Sequence, residues 1–264
     1  MIELYALLLS AICLLGIALA LWLTSLRIAK VSLIDSFWSL MILACAVIFF
    51  QVGPNPGARG YLVLVLLVIW AIRLSVHITW RNWGQPEDLR YQVIRSNNEP
   101  NFQFKSFYIV FALQAFLALL VSLSILGVMS SSTSINWLDY IALTLWSVGM
   151  YYEVVGDYQL MRFRSNSENE GKVLNTGVWQ STRHPNYFGE FCIWWAFYCF
   201  ALAAGGWWSI VSPLLMSVLL LKVSGVAMLE KSINQRRPDY AHYCQSTNAF
   251  FPGWSNTSTS HVKN

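Results

Sequence analysis

The chain has 264 residues, of which 56% are hydrophobic, 15% aromatic and only 11% charged, with a net charge of +4. Soluble domains carry about 25% charged residues, so this composition and a mean hydropathy of +0.48 exclude an ordinary soluble fold. The positive charge is too small and too dispersed for a nucleic-acid partner.

The apolar residues fall into long runs that predict about seven membrane-spanning helices, each of ~20 residues, enough to cross ~30 Å of hydrocarbon. In chain order the spans are 3–24, 33–52, 60–81, 105–129, 137–158, 187–204 and 206–228, with Gly205-Gly206 as a tight turn before the last. Met1-Ile2-Glu3 lacks the basic start of a cleaved signal peptide, so the first run reads as a span. The cysteines Cys13, Cys45, Cys192, Cys199 and Cys244 form no CxxC pair and mostly sit in apolar runs. They read as small buried hydrophobes, not metal ligands or disulfides. The expected fold is an all-α integral membrane bundle over residues 1–254 with a cytoplasm-facing cofactor cavity, followed by a polar, disordered tail, 255–264.

Lys and Arg favour alternate connections. Arg27 and Lys30 follow span one; Arg81, Arg90, Arg95 and Lys105 lie in or beside the loop after span three. Arg162, Arg164, Lys172 and Arg183 follow span five, and Lys231, Arg236 and Arg237 follow span seven. The other connections hold only Arg59. The positive-inside rule then places the N-terminus outside and the C-terminus in the cytoplasm.

Ionisable residues inside spans are costly and mark sites. Asp35 begins span two. Arg73 and His77 lie one turn apart in span three, as do Glu153 and Asp157 in span five. The loop after span three holds Gln85-Pro-Glu-Asp-Leu-Arg-Tyr91, where two carboxylates, an arginine and a tyrosine can position a proton donor, or simply pair in solvent. The densest constellation runs from Gly177 to Glu190 and includes Arg183-His-Pro-Asn-Tyr187. Pro185 suits the first turn of a helix. The free N–H groups of that helix end attract anions, phosphate above all. Asn186 and Glu190 share one helix face. The plainer alternative is a capped helix start beside a basic loop. A further stretch, Glu230 to Tyr243, reads as an amphipathic segment on the membrane surface. GxGxxG, Walker A, HExxH and GxSxG motifs are absent.

The run Gly156-Asp-Tyr-Gln-Leu-Met-Arg-Phe-Arg164, then Gly177-Val-Trp, Arg183-His-Pro-Asn-Tyr-Phe-Gly-Glu190, Pro238-Asp-Tyr240 and Phe251-Pro252, resembles the steroid 5-alpha-reductase family, and within it the bacterial branch. The likeness covers about residues 145–254, the cofactor-binding half. The Arg-His-Pro-Asn-Tyr-x-Gly-Glu string is shared with a wider superfamily that holds sterol C14 and C24(28) reductases and isoprenylcysteine carboxyl methyltransferases. The resemblance implies NADPH as hydride donor and reduction of a C=C bond conjugated to a ketone. It implies that Asp157, Arg164, Arg183, His184, Asn186, Tyr187, Glu190 and Tyr240 bind the cofactor. Asp157 and Asn186 would hold ribose or amide groups, and Arg164 and Arg183 would face phosphates. The steroid enzymes have a Gln-Glu pair in the second span and a catalytic tyrosine in the third or fourth; this sequence departs from that pattern, with Asp35 in span two and Tyr91 after span three.

The expected chemistry is hydride delivery to the β-carbon of a lipophilic enone that enters from the bilayer. Tyr91, assisted by Glu87 or Asp88, is the expected acid, with Asp35 the alternative donor. The surplus of Arg162, Arg164, Lys172 and Arg183 favours NADPH over NADH. A methyltransferase using S-adenosylmethionine on a lipid-like substrate is the second enzyme reading, and a non-enzymatic lipid-binding membrane protein the third. A bacterial inner membrane is the expected location, with membrane lipids as neighbours.

Overall fold

The computed structural model describes residues 1–223 and 240–253. Among these residues every regular element is helical. The chain divides into two compact units: Met1–Asp139 with Phe197–Ser212, and Tyr140–Ala196 with Pro213–Asn264.

The first unit opens with α1 (Ile2–Ile28), α2 (Leu33–Val52) and α3 (Gly57–Asn82). In α1 the buried residues are Ala6, Ser10, Leu14, Ala18, Leu21 and Ser25, a narrow stripe at three- and four-residue spacing. The opposite face carries exposed Leu8, Ile12, Leu15, Leu19 and Leu23. A helix apolar on its exposed face has hydrocarbon for a solvent. The short, largely polar α4 (Leu89–Asn97) follows. Next come α5 (Phe102–Ser106), a π-helical stretch Phe107–Ala112, α6 (Leu113–Val121) and α7 (Leu123–Met129), which together run from Phe102 to Met129. The break falls at Ser122, whose hydroxyl donates to the Leu119 carbonyl at 2.7 Å. Trp70, Phe49, Phe102, Phe111, Phe197 and Phe200 are the largest aromatic side chains sealed in this unit's core.

One charged pair is sealed into this unit. Arg59, expected in a loop, stands in the first turn of α3 and is 1% exposed. Its Nε donates to Asp139 Oδ1 at 2.6 Å and its Nη2 to Asp139 Oδ2 at 2.8 Å. Its remaining donors reach the carbonyls of Thr133 (3.1 Å) and Ser134 (2.7 Å). Asp139 also accepts from the Asn136 backbone at 2.7 Å. This saturated pair fastens the segment 133–139 to the start of α3.

Among the described residues four helical stretches are long and apolar enough to cross a membrane: Ile2–Ile28, Leu33–Val52, Gly57–Asn82 and Phe102–Met129. The described residues thus form an all-helical protein whose longest apolar helices fit a membrane. Two more helices, α8 (Trp137–Ser165) and α9 (Pro185–Ala203), have 29 and 19 residues. They carry Glu153 and Asp157, and Asn186 and Glu190, which dilute their apolar character. Trp207–Lys222 is apolar but shorter, and contains α10 (Val211–Val218). The last expected span and the expected surface segment run into residues 224–239, outside the described residues, as does the expected tail, 255–264.

In the second unit α8 and α9 cross at van der Waals contact of backbone with backbone. A Cβ on Gly189 would lie 2.5 Å from the Gly149 carbonyl oxygen and 2.7 Å from the Glu153 nitrogen. A Cβ on Gly149 would lie 2.7 Å from the Gly189 carbonyl oxygen. Glycine at facing positions permits this approach, as is common between membrane helices. The unit closes with α11 (Tyr240–Ser246).

Candidate functional site

The tight crossing decides which side chains meet. Gly149, Glu153, Gly156 and Asp157 recur at three- to four-residue spacing, so α8 turns one face toward the first turns of α9. The Asn186 side-chain amide donates to Asp157 Oδ1 at 3.2 Å, and its own carbonyl oxygen accepts from the Tyr187 backbone at 3.1 Å. Glu190 Oε1 accepts from the Trp194 indole one turn on, at 2.9 Å. Glu153, Asp157, His184 and Glu190 are all buried. The His184 ring stacks flat on Tyr187, with centroids 5.7 Å apart and planes within 5°. The structure therefore brings Asp157, His184, Asn186, Tyr187 and Glu190 to one helix junction, together with Glu153.

The loop that leads into α9 is held from both sides. Toward α8, the Trp179 indole donates to the Gly156 carbonyl at 3.1 Å, and the Val178 backbone donates to Gln159 Oε1 at 3.1 Å. From the other side the segment Tyr240–Gly253 straps it. The Thr182 hydroxyl donates to the Phe250 carbonyl at 2.8 Å, the Arg183 backbone to the Asn248 carbonyl at 2.9 Å, and the Gly253 backbone to the Ser181 carbonyl at 3.0 Å. The Tyr243 hydroxyl donates to the Trp179 carbonyl. Burial, and then neighbouring Tyr240, push the Tyr243 phenol above its usual value. Phe250 and Phe251 pack edge-on against Phe188 and Phe191.

Arg183 belongs to this strap. Its Nη1 donates to the carbonyls of Cys244 (2.9 Å) and Thr247 (3.2 Å), closing the end of α11. The polar hollow beside it, about 230 Å³, is lined by Arg183 and Cys244–Ala249. Small-molecule sites hold roughly 300–1,000 Å³, so that hollow alone does not seat a dinucleotide. Tyr240 is buried with its ring 5.9 Å from Tyr243. Arg162, Arg164 and Lys172 are exposed at and after the end of α8. Buried carboxylates and an amide suit a ligand that donates hydrogen bonds, such as ribose hydroxyls or a carboxamide. The exposed cations suit phosphate.

A second polar cluster forms in the first unit. Asp88 starts α4 as its N-cap, with Oδ1 accepting from the Arg90 backbone at 2.9 Å. That helix carries Tyr91 inward, where its hydroxyl donates to Asp35 Oδ1 at 2.6 Å. Arg90 Nη2 donates to Asp35 Oδ2 at 3.0 Å, and its Nε to Asp88 Oδ1 at 3.1 Å. Burial, then the negative charge of Asp35 and the hydrogen bond to it, hold the Tyr91 phenol well above its usual value. For Asp88 burial favours the neutral form, but the bonds and charge of Arg90 outweigh it and lower the carboxyl below its usual range. Burial opposes the charge of Arg90 too, and Asp35 and Asp88 outweigh it, so its pKa is raised.

Glu87 does not touch Tyr91 through any hydrogen bond among the described residues. Its two oxygens accept from the backbone of Val31 (2.7 Å) and Ser32 (3.1 Å), just ahead of α2. It is a helix-start clamp. Glu87→Gln keeps one acceptor and is expected to lower stability by about 2 kcal/mol, the cost of a lost bond to a charged group. A melting temperature equal to that of the parent refutes the clamp. The pairing of Tyr91 with Asp35 was not legible from the loop, because 56 residues separate them. Arg73 and His77 lie half-buried on α3. No group of His, Cys, Asp and Glu side chains among the described residues is arranged to hold a metal.

Comparison with known proteins follows the same lines. Residues 21–247 match the family described as "Protein of unknown function (DUF1295)". The uncharacterized protein C594.04c of Schizosaccharomyces pombe is 26% identical over 264 residues, covering 88% of this chain and 75% of its own length. No solved structure matches the chain. Since the family match spans both polar clusters and most of the helices between them, the chain belongs to the DUF1295 family.

Proposed function

We propose that the protein is a membrane-embedded, NADPH-dependent reductase of a C=C bond conjugated to a ketone in a steroid-like or other lipophilic substrate. The observation that carries this reading is the Asp157–Asn186 hydrogen bond at the start of α9, with buried Glu153 and Glu190 beside it. A polar cluster at a membrane-helix junction is costly and marks a site. The DUF1295 domain is steroid 5-alpha-reductase-like, which supports the same chemistry. The proposal includes about seven spans, an outer N-terminus and a cytoplasmic C-terminus, as the loop charges favour.

NADPH, when bound, would supply a hydride to the β-carbon of the enone, the π electrons moving to the ketone oxygen and the α-carbon then taking a proton from water. In the second unit Asp157 and Glu190 accept from the hydroxyl and amide donors of the cofactor. Asn186 is oriented by Asp157 and offers its remaining donor. His184 and Tyr187 present a stacked aromatic surface, and Tyr240 backs the strap. Arg164, with Arg162 and Lys172, faces phosphate, which favours NADPH over NADH. Arg183 contributes mainly by holding the strap. In the first unit the Tyr91 hydroxyl, whose single proton goes to Asp35 in the free protein, would turn that donor to the ketone oxygen of a bound enone and steady the charge that develops there. Asp35 holds the phenol in place. Asp88 and Glu87 support this pair from behind.

The test is the melting temperature of the detergent-purified protein with NADPH, NADH or S-adenosylmethionine. A ligand that binds only the folded form at a hundred times its Kd adds about 2.7 kcal/mol. NADPH is expected to stabilise most. Stabilisation by S-adenosylmethionine alone makes the protein a methyltransferase, and stabilisation by none makes it a lipid-binding protein. Asn186→Ala is expected to weaken NADPH binding by about 1–3 kcal/mol, with the apo melting temperature lowered only by the loss of the single bond to Asp157. Lower stability with unaltered affinity reduces the motif to a helix start.

A further inference from the structure

Arg90 and Tyr91 are consecutive on α4, so their side chains leave the helix about 100° apart. Asp35 nevertheless meets both, with Oδ2 on the Arg90 guanidinium at 3.0 Å and Oδ1 on the Tyr91 hydroxyl at 2.6 Å. A carboxylate anchored through both oxygens has lost its terminal rotation. The guanidinium is itself fixed. Asp88 accepts from its Nε at 3.1 Å and its Nη2 at 3.2 Å, while the same carboxylate caps the helix. Arg90 also lies 5.6 Å from the Tyr91 ring centroid. The other end of the bridge is steadied by Glu87, which clamps the backbone just ahead of the helix that carries Asp35.

We infer that Arg90 is a positioning residue for the Tyr91–Asp35 pair: aligned by Asp88, it fixes one oxygen of Asp35 so that the other stays on the Tyr91 hydroxyl. This rests on the reading of that pair as the acid of a reductase. The planar fork matters as well as the charge. A lysine ammonium reaches one carboxylate as a point charge but does not span Asp35 and Asp88 with fixed geometry. Arg81 adds positive charge near the site but makes no hydrogen bond to Asp35 among the described residues.

The experiment uses the whole protein in detergent, with ring-labelled tyrosine and infrared spectroscopy. The Tyr91 band is assigned by its loss in Tyr91→Phe. Arg90→Met is expected to move that band to the position of a weakly bonded phenol. It should lower kcat for reduction of an enone by NADPH by about 10- to 100-fold, the effect of a misaligned group, with KM unchanged. Arg90→Lys should recover part of both. Asp88→Asn should shift the band in the same direction by less. A band unmoved in Arg90→Met overturns the inference; if that variant does not fold, an unmoved band in Arg90→Lys does so. Absence of turnover by the parent overturns the reductase reading alone, since the band still decides the role of Arg90.

Discussion

Arg59→Met is expected to destabilise the protein by about 3–5 kcal/mol, the cost of leaving one partner of a buried ion pair uncompensated. Asp139, 3% exposed, would be left among Thr133, Asn136 and the start of α3 with its guanidinium partner gone. The carbonyls of Thr133 and Ser134 would lose their donors as well. The double variant Arg59→Met with Asp139→Leu is expected to recover most of the loss, because well-packed apolar residues often replace a buried pair at little cost. Denaturation in detergent of the parent, both single variants and the double variant closes the cycle. A single variant within about 1 kcal/mol of the parent, the range of exposed pairs, would show that water reaches the pair.

Gly189→Ala is expected to cost about 3 kcal/mol, the upper end for overpacking, because the new methyl meets backbone and not a movable side chain. Its Cβ would lie 2.5 Å from the Gly149 carbonyl oxygen, so α8 and α9 must separate. Those helices hold Asp157 and Asn186 at 3.2 Å. Separation breaks that bond, and NADPH affinity should fall together with melting temperature. Asn186→Ala removes the same bond but leaves the helices in contact, so its melting temperature should fall less. A Gly189→Ala protein with the parent's stability would show that the helices do not approach as closely as described.

The helices were legible wherever burial in hydrocarbon selects their residues. The second runs from Leu33 to Val52, the bounds that hydropathy alone gives. The fifth expected span was read as ending at 158, yet α8 continues to Ser165. Its last turns carry Arg162 and Arg164, which suit a helix C-terminus but not a hydrophobic run. α4 was invisible to hydropathy for the same reason, although Asp88 is a recognisable N-cap. Arg59 looked like a loop charge because a buried arginine depends on a partner that the sequence places 80 residues away. Tyr91 was paired with Glu87 and Asp88 through adjacency in sequence. The helix turns those carboxylates to other work, and Asp35 arrives from α2. One-turn spacing made the pairs Glu153 with Asp157 and Asn186 with Glu190 readable, while the meeting of Asp157 with Asn186, 29 residues apart, was implied only by the family resemblance. The glycines that let the junction close were not readable, since a glycine declares its purpose only when its neighbour is known.

The loop before α9 is fastened by chain made much later. Thr182 finds its partner 68 positions downstream, at Phe250. During synthesis, therefore, the early helices are complete while the polar junction still lacks its fastening. A nascent chain has its greasy elements long before it has a finished site. The junction therefore reaches its fastened form only after the segment up to Gly253 has been made and has folded back onto the loop.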